Sequence, residues 1–154
     1  DTANGSGNST VINSTEGVLY AEISQVNEAN SDRDISISDG TNDNVVRIKY
    51  SSSNILQATV RLSGVNIIAG SPAVTNKSFY RVAILWGIGS QKVFINGVQV
   101  ASSTNASTFA NSTITDLKFE YPQFGVQKFN GKVKSLQVYT TALSDAELTS
   151  LTTI

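Results

Sequence analysis

The chain has 154 residues, the span of one domain, and its eleven Lys and Arg against twelve Asp and Glu leave a formal net charge of −1 with no basic stripe, which excludes binding to nucleic acid by counterion release. Hydrophobic residues make up 40% and charged residues only 15%, and no apolar run approaches the roughly 20 residues of a membrane span. The absence of Cys and His removes disulfides, thiol and imidazole catalysis, and most zinc, copper or haem ligation.

Residues 1–10, rich in Gly, Ser and Asn, read as a flexible leader or linker, and a single folded domain is expected over 11–154. The chain opens on Asp1 rather than Met and shows no signal peptide, as a fragment or processed product does. Short segments of period-two alternation then follow one another, each ended by turn residues. Leu19, Ala21 and Ile23 share one face of the first strand, with Val18, Tyr20 and Glu22 on the other. Ile35 and Ile37 lead into the turn dipeptide Asp39-Gly40, after which Val46, Ile48 and Tyr50 alternate with Val45, Arg47 and Lys49, a hairpin signal. Leu56, Ala58, Val60 and Leu62 alternate with Gln57, Thr59 and Arg61, giving a dry face and a wet face.

The strand from Phe79 to Trp86 is apolar on both rows, so it is expected at the centre of a sheet and covered on both faces, with Trp86 in the core. Asn96-Gly97 between two apolar runs is the strongest short hairpin signal, because a type I′ turn needs two positive φ angles. Leu117, Phe119 and Tyr121 read as a further strand, and Val133 to Tyr139 as the last. There Val133 and Leu136 have opposite parity, which calls for a bulge near Lys134-Ser135 or burial on both faces. Ser144-Asp145-Ala146-Glu147 fits a capping box, with Leu143 and Leu148 placed as a hydrophobic staple. About ten strands, no βαβ rhythm and one short terminal helix predict an all-β, two-sheet antiparallel sandwich.

The order Phe79–Ile84, Val93-Phe94-Ile95-Asn96-Gly97-Val98, Phe129-Asn130-Gly131-Lys132-Val133, Val138-Tyr139 and Ala142-Leu143-Ser144-Asp145-Ala146-Glu147-Leu148 resembles the concanavalin A-like, laminin G-like jelly-roll superfamily over nearly the whole chain after Val11. The stretches Asn13–Ile23, Ile37–Gly40 and Leu148–Thr152 resemble such domains on phage tail-fibre and other virion proteins. The resemblance implies the jelly-roll fold and a virion-surface or extracellular setting. It leaves the ligand open, since the superfamily includes lectins, protein-binding modules and enzymes.

Glycoside hydrolysis on this fold needs two carboxylates roughly 5 to 9.5 Å apart. The E-x-D-x(x)-E strand motif is absent, and the nearest approach, Asp116 and Glu120 with Lys118 between them, reads as a solvent-facing row, so no catalytic residue is assigned. Asp39, Asn42 and Asp43 concentrate oxygen ligands that suit calcium, but the same residues build a tight turn, and no cofactor is required. Sugar binding calls for exposed aromatic faces beside amide and carboxylate groups. Tyr121, Gln123 and Phe124 supply these in one loop, with Tyr50 at a strand end as a further candidate. The alternative is that Tyr121 and Phe124 cap the core. Sequons begin at Asn8, Asn13, Asn76, Asn105 and Asn111, relevant in a glycosylating host.

The expected function is a non-catalytic module that binds a cell-surface glycan or polysaccharide, its affinity raised by multivalency in a homo-oligomer or fibre. The rival is an architectural role in contacts with other virion or fibre subunits, and the remote alternative is a polysaccharide-active enzyme.

Overall fold

The fold was analysed in a computed structural model that describes residues 8, 10–26, 31–71 and 78–154. Most of the leader and the sequon at Asn76 lie outside the described residues. Ten strands and one helix follow in chain order: β1 (Gly17–Gln25), β2 (Arg33–Ser38), β3 (Val45–Tyr50), β4 (Leu56–Leu62), β5 (Val65–Gly70), β6 (Tyr80–Trp86), β7 (Gln91–Ile95), β8 (Val98–Ser103), β9 (Asp116–Lys118), β10 (Gly131–Tyr139) and α1 (Asp145–Thr152). They form two antiparallel five-stranded sheets, β10-β1-β6-β7-β8 and β5-β4-β3-β2-β9. Among the described residues no helix is long and apolar enough to cross a membrane.

The rows predicted as dry meet between the sheets. Leu19, Ala21 and Ile23 of β1 and Val82, Ile84 and Trp86 of β6 pack on Ile35 and Ile37 of β2, Val46, Ile48 and Tyr50 of β3, and Leu56, Ala58 and Val60 of β4. Strand β6 is the middle strand of its sheet, and its second row, Ala83 and Leu85, joins Val18, Tyr20, Phe94 and Leu148 in a smaller cluster beneath α1. That second cover is why both rows of β6 are apolar. Trp86 is buried, and its ring N–H donates to the Asn13 carbonyl at 3.2 Å.

Turn chemistry sets the registers. Asn96 and Gly97 sit at φ 50° and 80° between β7 and β8, as a type I′ hairpin requires. Ser63 and Gly64 repeat the device at 48° and 79° and turn β4 into β5, a strand the sequence reading passed over because its alternation is broken by a bulge opposite Val60 and Arg61. In β10, Ser135 faces Glu22 while Val133 faces Ile23, so Lys134 is the extra residue that restores parity. Asp39-Gly40 opens a longer connection than a two-residue turn, since β3 begins only at Val45.

The helix closes the second cluster. The Ser144 hydroxyl accepts from the Glu147 amide at 3.3 Å and the Glu147 carboxylate accepts from the Ser144 amide at 2.8 Å, the reciprocal capping box. Leu143 packs beside buried Leu148, and the Thr152 hydroxyl accepts from the Gly97 amide at 3.1 Å. Removing the side chain of Leu148 is expected to cost about 3 kcal/mol, and Ser144→Ala about 1 kcal/mol. Urea denaturation midpoints measure both, and a Leu148→Ala loss no larger than that of Ser144→Ala would contradict the clamp.

Candidate functional site

The wet rows of β2, β3, β4 and β9 lie side by side on the outer face of their sheet. Ser36 faces Arg47, Arg47 faces Thr59, and Lys118 pairs with Ser36 from the far side. One row along, Asp34 faces Lys49 and Lys49 faces Gln57, while in the other direction Ser38 faces Val45 and Val45 faces Arg61. Arg47 and Arg61 are thus diagonal neighbours on one face, a relation that puts side-chain roots about 7 Å apart.

This face is not simply wetted, as alternation suggested. Asp34, Ser36, Ser38 and Thr59 are buried, and the segment 119–129 folds back over Asp34 and Ser36. The predicted strand through Tyr121 stops at Lys118, and the chain then turns over the sheet. The Ser36 hydroxyl donates to the Glu120 carbonyl at 2.9 Å, and the Asp34 amide donates to the Gln127 carbonyl at 3.0 Å. The loop closes on itself through Tyr121 N–H to Val126 O at 3.0 Å and Phe129 N–H to Phe119 O at 2.8 Å.

Its tip carries the sequence candidates. Tyr121 is half-buried with the Arg47 guanidinium carbon 5.8 Å from its ring centroid, within cation–π range. Gln123 is half-buried, and Phe124 is 85% exposed at φ +68°. A bulky side chain in the left-handed region is a strained arrangement, and here it presents a whole aromatic ring to solvent. Phe124 therefore does not cap the core. Tyr50 is the correction: it points inward from β3, is 1% exposed and packs near Phe129, so its ring offers no face to a ligand. Burial pushes its hydroxyl pKa upward, with Tyr80 adding and Arg33 opposing.

Sequence reasoning missed the polar atoms of this face and of the loop that folds over it. Both Asp34 carboxylate oxygens, the Nε of Arg47, the Nε of Arg61 and the Oε1 of Gln127 are buried without a hydrogen-bond partner in the protein. Buried polar atoms are paired in the great majority of cases, and these five gather on one face and its covering loop, while Arg33 Nε, the Tyr50 hydroxyl and Gln91 Oε1 are unpaired elsewhere. The alternation of Arg47 and Arg61 with apolar neighbours shows that they point outward; the loop that brings Tyr121 over Arg47 was invisible because its contacts are long-range.

Electrostatics sharpen the picture. The Arg47 Nε lies 3.7 Å from an Asp34 oxygen, a salt-bridge distance too long for a hydrogen bond. Lys49 is engaged by Asp32 at 2.8 Å and Lys118 by Asp116 at 3.5 Å. Burial raises the Asp34 pKa from 3.8 to about 6, with Arg47 and Lys49 pulling it back and Asp32 adding to the rise. The Asp39 carboxylate is consumed by its own turn: it accepts from Thr41 N–H at 2.8 Å, Thr41 O–H at 2.6 Å and the Asn44 amide at 2.7 Å. Burial pushes its pKa up, but the bonds from Thr41 and Asn44 outweigh this and hold it below the usual value. Asn42 Oδ1 accepts from Arg47 at 3.4 Å, and Asp43 is exposed. Among the described residues no group of three or more His, Cys, Asp or Glu is placed to hold a metal ion.

Residues 24–149 match the family model of the concanavalin A-like lectin/glucanases superfamily. Among solved structures, the Ruminococcus gnavus intramolecular trans-sialidase module CBM40 bound to α2,3-sialyllactose is similar at a TM-score of 0.72 and 21% identity, over 91% of this chain and 83% of that one. The leech intramolecular trans-sialidase complexed with 2,7-anhydro-Neu5Ac is similar at 0.71 and 22% identity, over 90% of this chain and 23% of that one. Domain 4 of an extracellular arabinanase from Geobacillus stearothermophilus, complexed with arabinotriose, gives 0.61 and 16% identity over 94% and 69%. At these identities the likeness is one of fold. A comparison with curated proteins finds no match.

A carboxyl whose pKa is raised in the folded state favours folding most fully below its unfolded value of 3.8, and that contribution is lost as pH rises through about 6. At pH 7.5 the ionised Asp34 therefore opposes folding by about 2 to 3 kcal/mol. Asp34→Asn is expected to raise the melting temperature by several degrees at pH 7.5, with the gain over the parent gone by about pH 4. Calorimetry at the two pH values measures this, and a variant destabilised at pH 7.5 would contradict it.

Proposed function

We propose that this chain, which belongs to the concanavalin A-like lectin/glucanase superfamily, is a non-catalytic glycan-binding module whose site is the outer face of β2, β3 and β4 at the edge of the 119–129 loop. The observation that carries the reading is the diagonal pair Arg47 and Arg61, each with a buried Nε that donates no hydrogen bond, with Tyr121 stacked against Arg47 and the exposed ring of Phe124 on the same loop.

Guanidinium groups are rigid forks matched to carboxylates, and two like charges set diagonally on a sheet repel. A bound anion at the outer edges of the two guanidinium groups relieves that repulsion. Ring faces at the loop tip suit the C–H surfaces of a sugar, and half-buried Gln123 adds an amide for its hydroxyls. An acidic glycan terminating in a sialic acid or a similar sugar carboxylate combines both needs. Support comes from the fold neighbours, since the Ruminococcus gnavus module was solved with α2,3- and with α2,6-sialyllactose.

Hydrolysis at the carboxylate pair nearest this face is not part of the proposal. Asp116 is ion-paired with Lys118 at 3.5 Å, and Glu120 stands beyond the end of β9 on the loop, an arrangement unlike the facing acid and base of a glycosidase. The setting we propose is an extracellular or virion surface, where repeated copies raise the avidity of a weak single site.

Titration calorimetry with 3′-sialyllactose tests the reading. Arg47→Ala and Arg61→Ala are each expected to weaken binding by tenfold or more, about 1.4 kcal/mol. Phe124→Ala is expected to weaken it by roughly threefold with an unchanged melting temperature. Absence of binding across a glycan array that includes sialylated, uronic and neutral sugars would reject the reading in favour of an architectural role.

A further inference from the structure

Asp34 is the one feature of the site that a simple anion-binding face does not need. It is fully buried, its two oxygens accept no hydrogen bond from the protein, and the guanidinium that an anionic ligand would use stands 3.7 Å away. A carboxylate held only to fix the arginine would accept a hydrogen bond from it at normal length. At this separation it supplies charge without a clamp. We propose that Asp34 is the internal counter-ion of Arg47, competing with a bound anion for the guanidinium, so that it determines how strongly the face prefers anionic ligands and relaxes that control when it is protonated. The proposal rests on reading this face as the glycan site.

The sign follows from Coulomb's law. An anion on the outer edge of Arg47 and the Asp34 carboxylate at its Nε repel each other across a partly desolvated space, where charges interact more strongly than in water. Binding must therefore raise the Asp34 pKa, and protonation of Asp34 must tighten binding to the same degree. Its ionisation falls in an accessible range, near pH 6. The charged groups that act on it are Arg47 and Lys49 on β3 and Asp32 preceding its own strand; on the covering segment Lys128 forms a parallel bridge with Asp34, while Lys118 and Glu120 lie further along, against Ser36. The chain has no histidine, the usual source of such a response. Arginine stays charged throughout, as does the carboxylate of a sialic acid.

Three readings test this on the whole chain. Calorimetry with 3′-sialyllactose should give binding about five- to tenfold tighter at pH 5.0 than at pH 7.5. Asp34→Asn should bind at pH 7.5 about as tightly as the parent does at pH 5.0, with little dependence on pH. In the free parent protein, the Arg47 Nε–H resonance should titrate with a midpoint near pH 6, move to higher pH when sialyllactose is added, and not titrate in Asp34→Asn. Binding that is flat or weaker in acid, or an Asp34→Asn variant that keeps the parent's pH profile, overturns the proposal and leaves the glycan reading intact. No binding of sialyllactose at either pH overturns the glycan reading and this proposal with it, whereas the resonance titration in free protein reports the Asp34–Arg47 coupling alone.

Discussion

The polar row of β2 is buried, and a buried polar group that finds no partner costs more than most single contacts return. Ser36 finds the Glu120 carbonyl and the Asp34 amide finds the Gln127 carbonyl, so these two bonds hold the 119–129 segment against the sheet. The position of the segment fixes the rest of the site. Tyr121 comes over Arg47, the strained turn at Phe124, Gly125 and Gln127 lifts one aromatic ring into solvent, and the side chain of Asp34 is closed off from water beside a guanidinium it does not quite reach.

The core and the site obey opposite rules. Between the sheets, and again beneath the helix, mostly apolar rows meet, with the Trp86 N–H paired to the Asn13 carbonyl and the Tyr50 hydroxyl buried without a hydrogen-bond partner. On the outer face and its covering loop, five buried side-chain atoms of Asp34, Arg47, Arg61 and Gln127 have no hydrogen-bond partner, and the ionised Asp34 opposes folding at neutral pH. Such departures from local consistency are expected where a protein keeps stability in reserve for function. The same departure explains why a substitution that stabilises the fold is also predicted to change how the site responds to pH.

Much of the architecture was legible from local pattern. The alternation of Leu56 to Leu62, the double apolar rows of β6, the Asn96-Gly97 turn, the displaced parity of Val133 and Leu136, and the capping box at Ser144 each carry their meaning within a few residues. What was not legible depends on distant parts of the chain. Tyr50 lies at a strand end, where exposure is common, yet its parity with Val46 and Ile48 sends it into the core. Tyr121 was read as strand because it continues the alternation of Leu117 and Phe119, but the chain leaves the sheet after Lys118 to cover β2. Arg47 and Arg61 alternate with apolar neighbours as solvated positions do, and only a segment some eighty residues beyond β2 folds over their face.

The most direct test is chemical-shift mapping of the labelled protein titrated with 3′-sialyllactose. Perturbations gathered on Ser36, Arg47, Thr59 and Arg61 and on the loop from Tyr121 to Gln127 are the predicted result. A spectrum that does not change, or changes confined to the depression lined by Asn13, Asn111 and Thr140 at another part of the surface, would contradict the assignment of the site.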